Sequence, residues 1–188
     1  MPFEYLLLIF VLIFLLVLVI KIYLLNKDYT EMYETNSYNK IFDNLYLGNI
    51  DSARDLEFIK KKNIKYIFNI SNGIPNYFEY NKDIIYINLF VADSLLESDI
   101  NIMYKNLPNL VEQLNKYLEN DNGNILVHCH AGRERSATIV AAYLIYKFCM
   151  SPDEAYDFII EKRPEAFHYG KFYNFHTALQ NYYNDLYI

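Results

Sequence analysis

The arrangement that most restricts the fold of this chain is a short apolar run that passes through a tight loop into a long apolar helix. Asn124-Ile125-Leu126-Val127-His128 has the length and continuous hydrophobicity of a strand buried on both faces. Asp121-Asn122-Gly123 before it has turn chemistry, and from Ser136 to Phe148 the apolar residues recur at helical spacing. A strand with no polar face needs cover above and below, so helices must lie on both sides of a sheet. The preceding chain agrees. Leu45-Tyr46-Leu47, Lys65-Tyr66-Ile67-Phe68-Asn69-Ile70 and Ile84-Ile85-Tyr86-Ile87-Asn88-Leu89 read as strands, with one helix over about 52–62 and another over about 100–120. Pro108 inside the second predicts a kink or a division. Ser151-Pro152-Asp153-Glu154 is a capping box that starts a helix running to about Lys162, which Arg163-Pro164 stops. A last helix over about 171–184 carries Phe172, Phe175, Leu179 and Tyr182 toward the core.

The N-terminal end reads differently. Between Glu4 and Lys21 lie 16 residues without a charge, and from Leu6 to Leu25 only Lys21 is outside the hydrophobic class. That is close to the length of a bilayer span, with Lys21 placed where its stem can lie along apolar surface while its ammonium reaches the headgroups. No basic start or small-residue cleavage site marks a signal peptide. The expectation is a transmembrane anchor over 5–25, a polar linker over 26–39 and one domain over 40–188. Lys21 and Lys27 on the C-terminal flank predict a single-pass membrane protein whose domain faces the cytosol. A formal charge of −6 argues against a nucleic-acid partner, which would need a broad basic face. Any anion site must be local.

Such a site is present in the loop. Cys129 and Arg135 are separated by five residues, His130, Ala131, Gly132, Arg133 and Glu134. A loop of that length at a helix N-terminus can aim its backbone N–H groups at one tetrahedral dianion. Arg135 adds a planar fork for two oxygens, and Gly132 lets the chain turn. The same field favours the thiolate of a cysteine at the start of the loop. His128-Cys129-His130 does not read as a metal site, because neighbouring strand residues face opposite ways and no second cluster completes a tetrahedron. No metal or other cofactor is expected. Cys149, between Phe148 and Met150, reads as an inert core thiol, and His168 and His176 as surface or packing residues.

His128-Cys129-x-x-Gly132-x-x-Arg135-Ser136 resembles the signature of the cysteine-dependent protein tyrosine phosphatase superfamily, and its setting resembles the dual-specificity branch. The likeness extends to Asn44-Leu45-Tyr46-Leu47-Gly48, Ile64-Lys65-Tyr66-Ile67-Phe68-Asn69-Ile70-Ser71, Ser136-Ala137-Thr138-Ile139-Val140 and Asp153-Glu154-Ala155-Tyr156. It implies an α/β three-layer sandwich with a central mixed sheet flanked by helices. It also implies hydrolysis of phosphate monoesters on phosphotyrosine and phosphoserine/threonine of proteins through a cysteinyl-phosphate, with Cys129 as nucleophile and Arg135 as phosphate ligand. By the same resemblance Asp93, just beyond a strand and 36 residues before the cysteine, is the general acid/base, with Asp83, Glu97 and Asp99 as rivals. Ser136 resembles the hydroxyl that bonds the cysteine sulfur, and His128 the histidine that supports the loop.

Glu134 departs from the family, whose loops commonly carry a small residue there. Pointing inward it would weaken the positive field; pointing outward it would repel acidic substrates or hold Arg133. Two other functions stand beside the protein phosphatase. One is a membrane-bound phospholipid phosphatase, since Gly132-Arg133-x-Arg135-Ser136 also resembles the loop of phosphatidylglycerophosphate phosphatases. The other is a catalytically weak phosphate-binding module.

Overall fold

The computed structural model describes residues 14–21, 36–94, 96–120, 122–170 and 175–188. The chain divides into two units, Met1–Asn36 and Ser37–Ile188. In the first, residues 14–21 are helical and exposed. Among the described residues no helix is long and apolar enough to cross a membrane. The expected anchor falls largely on 5–13 and 22–25, and the linker largely on 26–35, all outside the described residues.

The second unit is built on five strands: β1 (Tyr38–Phe42), β2 (Leu45–Gly48), β3 (Ile64–Asn69), β4 (Ile85–Asn88) and β5 (Asn124–His128). Their order across the sheet is β1-β2-β5-β3-β4, with β1 antiparallel to β2 and the other pairs parallel. The expected mixed sheet is therefore present, although it starts earlier than the expected boundary, because Tyr38 and Asn39 pair with Gly48 and Leu47. β5 lies at the centre with Ile125, Leu126 and Val127 at 0% exposure.

The residues of β2, β3 and β5 alternate between two cores, as the period of a strand requires. Tyr46, Ile67 and Leu126 face one side, where they meet Ala53 of α1 (Ile50–Arg54) and Phe58 and Ile59 of α2 (Leu56–Lys61). Leu47, Phe68 and Val127 face the other. There the cover comes from α3 (Glu97–Glu119), α4 (Arg135–Phe148), α5 (Pro152–Lys162) and α6 (His176–Tyr187). This is the three-layer α/β sandwich.

Four local expectations need correction. The helix expected over 52–62 is two helices, because the Asp55 carboxylate accepts the Phe58 N–H at 3.0 Å and starts α2 afresh. α3 runs through Pro108 as one helix of 23 residues. Proline removes only one backbone bond, and buried Met103, Leu107, Leu110, Val111 and Leu114 hold both sides of it against the core. Cys149 is exposed rather than in the core, since α4 ends on it in a left-handed conformation with φ of 55°. The last helix begins at His176, with Phe175, Leu179 and Tyr182 buried as expected, while Phe172 lies outside the described residues, as does Asp121 of the expected turn.

Replacing Asp55 by Ala removes the cap of α2 and is expected to cost about 1 kcal/mol. Urea unfolding should show a lower midpoint with an unchanged slope.

Candidate active site

The parallel strands bring their C-terminal ends together at one edge of the sheet, where ligands gather in open α/β folds. β5 ends at His128, and Cys129 follows with 1% of its surface exposed. The chain then turns through residues 130–134 and enters α4 at Arg135. Gly132 has φ of +68°, and a Cβ at this position would lie 2.5 Å from the Gly48 carbonyl oxygen. Glycine is required there on both counts.

The carbonyls of this loop are held from outside, one after another. Ile50 N–H donates to the His130 carbonyl at 3.0 Å and Phe167 N–H to that of Arg133 at 2.9 Å. Arg163, with no exposed surface, donates from Nε to the Gly132 carbonyl at 2.8 Å and from Nη2 to that of Ala131 at 3.4 Å. The Glu134 carbonyl accepts from the N–H and the hydroxyl of Thr138, both at 2.8 Å. In a trans peptide the C=O of one residue and the N–H of the next point in opposite directions. Carbonyls drawn outward therefore turn the N–H groups of residues 131–135 toward the centre of the loop. The positive end of α4 adds to that field.

The Cys129 sulfur lies within this cradle. It accepts from Gly132 N–H at 3.3 Å and from the Ser136 hydroxyl at 3.2 Å. Arg135 is nearly buried, and its Nη1 donates to the Val91 carbonyl at 3.3 Å. Its Nε lies 3.6 Å from Oδ2 of Asp93, whose side chain is 32% exposed. The segment after β4 is thus docked on the arginine, and Asp93 stands at the rim of the cradle. The rival carboxylates are placed otherwise. Asp83 lies before β4, beside Lys60 and Lys65, at the opposite end of the strands. Asp99 accepts a short bond from the Ser94 hydroxyl, and Asp99 and Glu97 both belong to the first turn of α3.

In and beneath the loop, His128 and Glu134 are strongly shifted. His128 is buried, its Nδ1 is 3.4 Å from the Cys129 carbonyl oxygen, and burial, aided by the Arg135 charge, pushes its pKa down to about 4. It is neutral at neutral pH and serves as support beneath the loop. Glu134 points into the fold, with 3% of its surface exposed. Burial pushes its pKa up to about 7, with Asp93 adding to the rise; the Tyr169 N–H and the Arg133 charge oppose it. The alternatives left open for Glu134 thus resolve toward the inward one.

His130 and Ala131 are exposed and Arg133 is half-buried at the mouth of the loop. Among the described residues no group of three or more His, Cys, Asp or Glu side chains is disposed to hold a metal ion.

The sequence reading missed Arg163, which it took only as the end of α5. The guanidinium also donates to Asn39 Oδ1 at 2.6 Å and pairs with Glu165 at 3.0 Å. An arginine before a proline carries no local signal of such a role; its partners lie 31 and 124 residues away. Arg163→Lys keeps the charge but loses the fork that spans two loop carbonyls. It is expected to lower stability by about 2 kcal/mol through the lost charge-assisted hydrogen bonds, measured by urea unfolding.

The stability of the protein should depend on both shifted groups, with opposite signs. Between about pH 4 and pH 6.5 the unfolded chain protonates His128 and the folded chain does not, so the His128 contribution is lost as pH falls through that window. Glu134 is protonated in the folded chain and ionised in the unfolded one between pH 4.5 and about 7, so its contribution is lost as pH rises through that window. Relative to wild type, Glu134→Gln is expected to gain about 2 kcal/mol between pH 5 and pH 8, read from melting temperatures at the two pH values.

The model of the dual specificity phosphatase catalytic domain matches residues 45–185. Dual specificity protein phosphatase 9 of Homo sapiens is 35% identical over 124 residues, covering 66% of this chain and 31% of that protein. Dual specificity protein phosphatase Mpk3 of Drosophila melanogaster is 31% identical over 122 residues, covering 65% and 28%. The chain thus spans less than a third of the length of these two relatives. The crystal structure of human DUSP28 superposes with a TM-score of 0.70 over 81% of this chain and 97% of that one, at 22% identity, a likeness of fold. With the matched domain running from β2 through the loop into α6, this chain belongs to the dual specificity phosphatase family.

Proposed function

We propose that this chain hydrolyses phosphate monoesters on phosphotyrosine and phosphoserine/threonine of proteins, with Cys129 as nucleophile and Asp93 as general acid and base. The observation that carries this reading is the position of the Cys129 sulfur. It lies inside a ring of inward N–H groups and accepts from Gly132 and Ser136, with Arg135 and Asp93 3.6 Å apart at the rim.

A phosphate group in the cradle has its oxygens on the loop N–H groups and the Arg135 fork, with phosphorus in line with the sulfur. Cys129 attacks; an S–P bond forms, the P–O bond to the leaving group breaks, and the Asp93 carboxyl gives its proton to the departing oxygen. Asp93, now a carboxylate, takes a proton from water as that water attacks phosphorus. The S–P bond breaks and inorganic phosphate leaves. The Ser136 hydroxyl, 3.2 Å from the sulfur, stabilises the thiolate as it is released.

The proposal extends to location. The apolar stretch over 5–25 supports a single-pass anchor, with Lys21 and Lys27 favouring a cytosolic domain. Alkaline carbonate extraction followed by protease protection tests it. Recovery in the soluble fraction would contradict the anchor.

Assayed on an aryl phosphate under reducing conditions, Cys129→Ser is expected to lower kcat by at least about a thousandfold. Asp93→Asn should lower it by about a hundredfold while phosphate still binds. Equal turnover by the Cys129 variant would overturn the mechanism. Phosphopeptides should be dephosphorylated faster than anionic phospholipid vesicles; the reverse order would favour a phospholipid phosphatase, and binding without turnover a phosphate-binding module.

A further inference from the structure

Glu134 has no part in the mechanism above, and its placement is unusual for a loop that binds dianions. Its carboxyl is the side chain immediately before Arg135, and it is buried behind the cradle. One oxygen's environment is set by the Tyr169 N–H, while Oε1 is buried with no hydrogen-bond partner. The carboxyl lines a small cavity with about 10 Å3 open to the centre of a water molecule. That is room for about one water.

The cavity is bounded by Thr138 of α4, Tyr156 of α5, Phe167 and Gly170 of the following segment, and His176 and Leu179 of α6. Among the described residues the titratable and charged groups around Glu134 are therefore few. Arg133 on the same loop attracts its anion, Asp93 from the rim repels it, and His176 and the Tyr156 phenol face the cavity from the helices behind. Asp153 lies 3.9 Å behind His176. Among the described residues no cation is paired with the orphaned oxygen. An ionised Glu134 would set a desolvated negative charge behind N–H groups whose role is to attract one, whereas the neutral carboxyl leaves the cradle positive.

We propose that Glu134 is a charge-setting residue of the phosphate cradle: with its carboxyl neutral the loop holds a tetrahedral dianion tightly, and its ionisation loosens that hold. Binding and protonation are linked, so a dianion entering the cradle draws a proton onto Glu134, and the effect is reciprocal. The side chain touches no reacting atom and acts through the field at Arg135 and the loop. Phosphate binding would then be strongest on the acid side of neutrality and weaken as Glu134 ionises. This rests on the phosphate-binding reading of the loop.

The test uses tungstate, a tetrahedral dianion that does not itself titrate above about pH 6.5, with calorimetry on the full chain. A Cys129→Ser background removes the thiol's own proton from the balance. In that background the tungstate Kd is expected to rise about fivefold between about pH 6.5 and about pH 8, with net proton uptake near pH 7 that varies with the ionisation heat of the buffer. Adding Glu134→Gln should abolish both the rise and the uptake. The same rise and uptake in both forms would overturn the proposal. So would absence of proton uptake with Cys129→Ser alone, a result that does not depend on the Gln variant folding. Failure of the Cys129→Ser form to bind tungstate at any pH would instead overturn the phosphate reading itself.

Discussion

The site depends on where five carbonyl groups go. His130 through Glu134 form a turn whose polar backbone could face either way, and the direction is set from outside by Ile50, Arg163, Phe167 and Thr138. Once those carbonyls are taken, planar trans peptides leave the N–H groups no direction except the loop's interior. The anion site is therefore a consequence of bonds made on the far side of the chain. Its donors come from α1, α4, the end of α5 and the segment after it, elements far apart in the sequence.

This arrangement reconciles an acidic protein with an anionic ligand. The formal charge is −6, yet the loop concentrates the end of the α4 dipole, oriented amides and Arg135 around one sulfur. His128, buried beneath the loop, is uncharged at neutral pH, so the positive field comes from the amides, the helix end and Arg135. Glu134 is the exception, a carboxyl kept in the same buried layer. Burial opposes its ionisation, so the charge that would harm the site is the charge the site disfavours.

What could be read in the sequence was whatever depends on short spacing. Cys129, Gly132, Arg135 and Ser136 sit within eight residues, and the strand before and helix after them are continuous apolar runs, so local chemistry and local structure point to one reading. The position of Asp93 near Arg135 was legible for a related reason, since it follows within a few residues a strand whose end must lie at the same edge of the sheet. Arg163 was not, because its value lies in contacts with Gly132 and Asn39 that no local pattern encodes. Asn39 itself fell in a stretch read as linker, where a β1 residue at a sheet edge lacks the apolar alternation of a central strand. The direction of Glu134 also depended on tertiary packing, as did the exposure of Cys149, which follows from a helix ending on that residue. Asp55 could have been read as a cap, and an uninterrupted apolar pattern on either side obscured it.

In the proposed mechanism the Cys129 sulfur takes the phosphoryl group. Rapid acid quenching of the full chain during turnover of a substrate with a radiolabelled phosphate, followed by peptide mapping, tests it most directly. An acid-stable label is expected on the peptide containing Cys129, accumulating when Ser136 is replaced by Ala and breakdown slows. Label confined to another residue, or turnover with none on Cys129 in that variant, would contradict it.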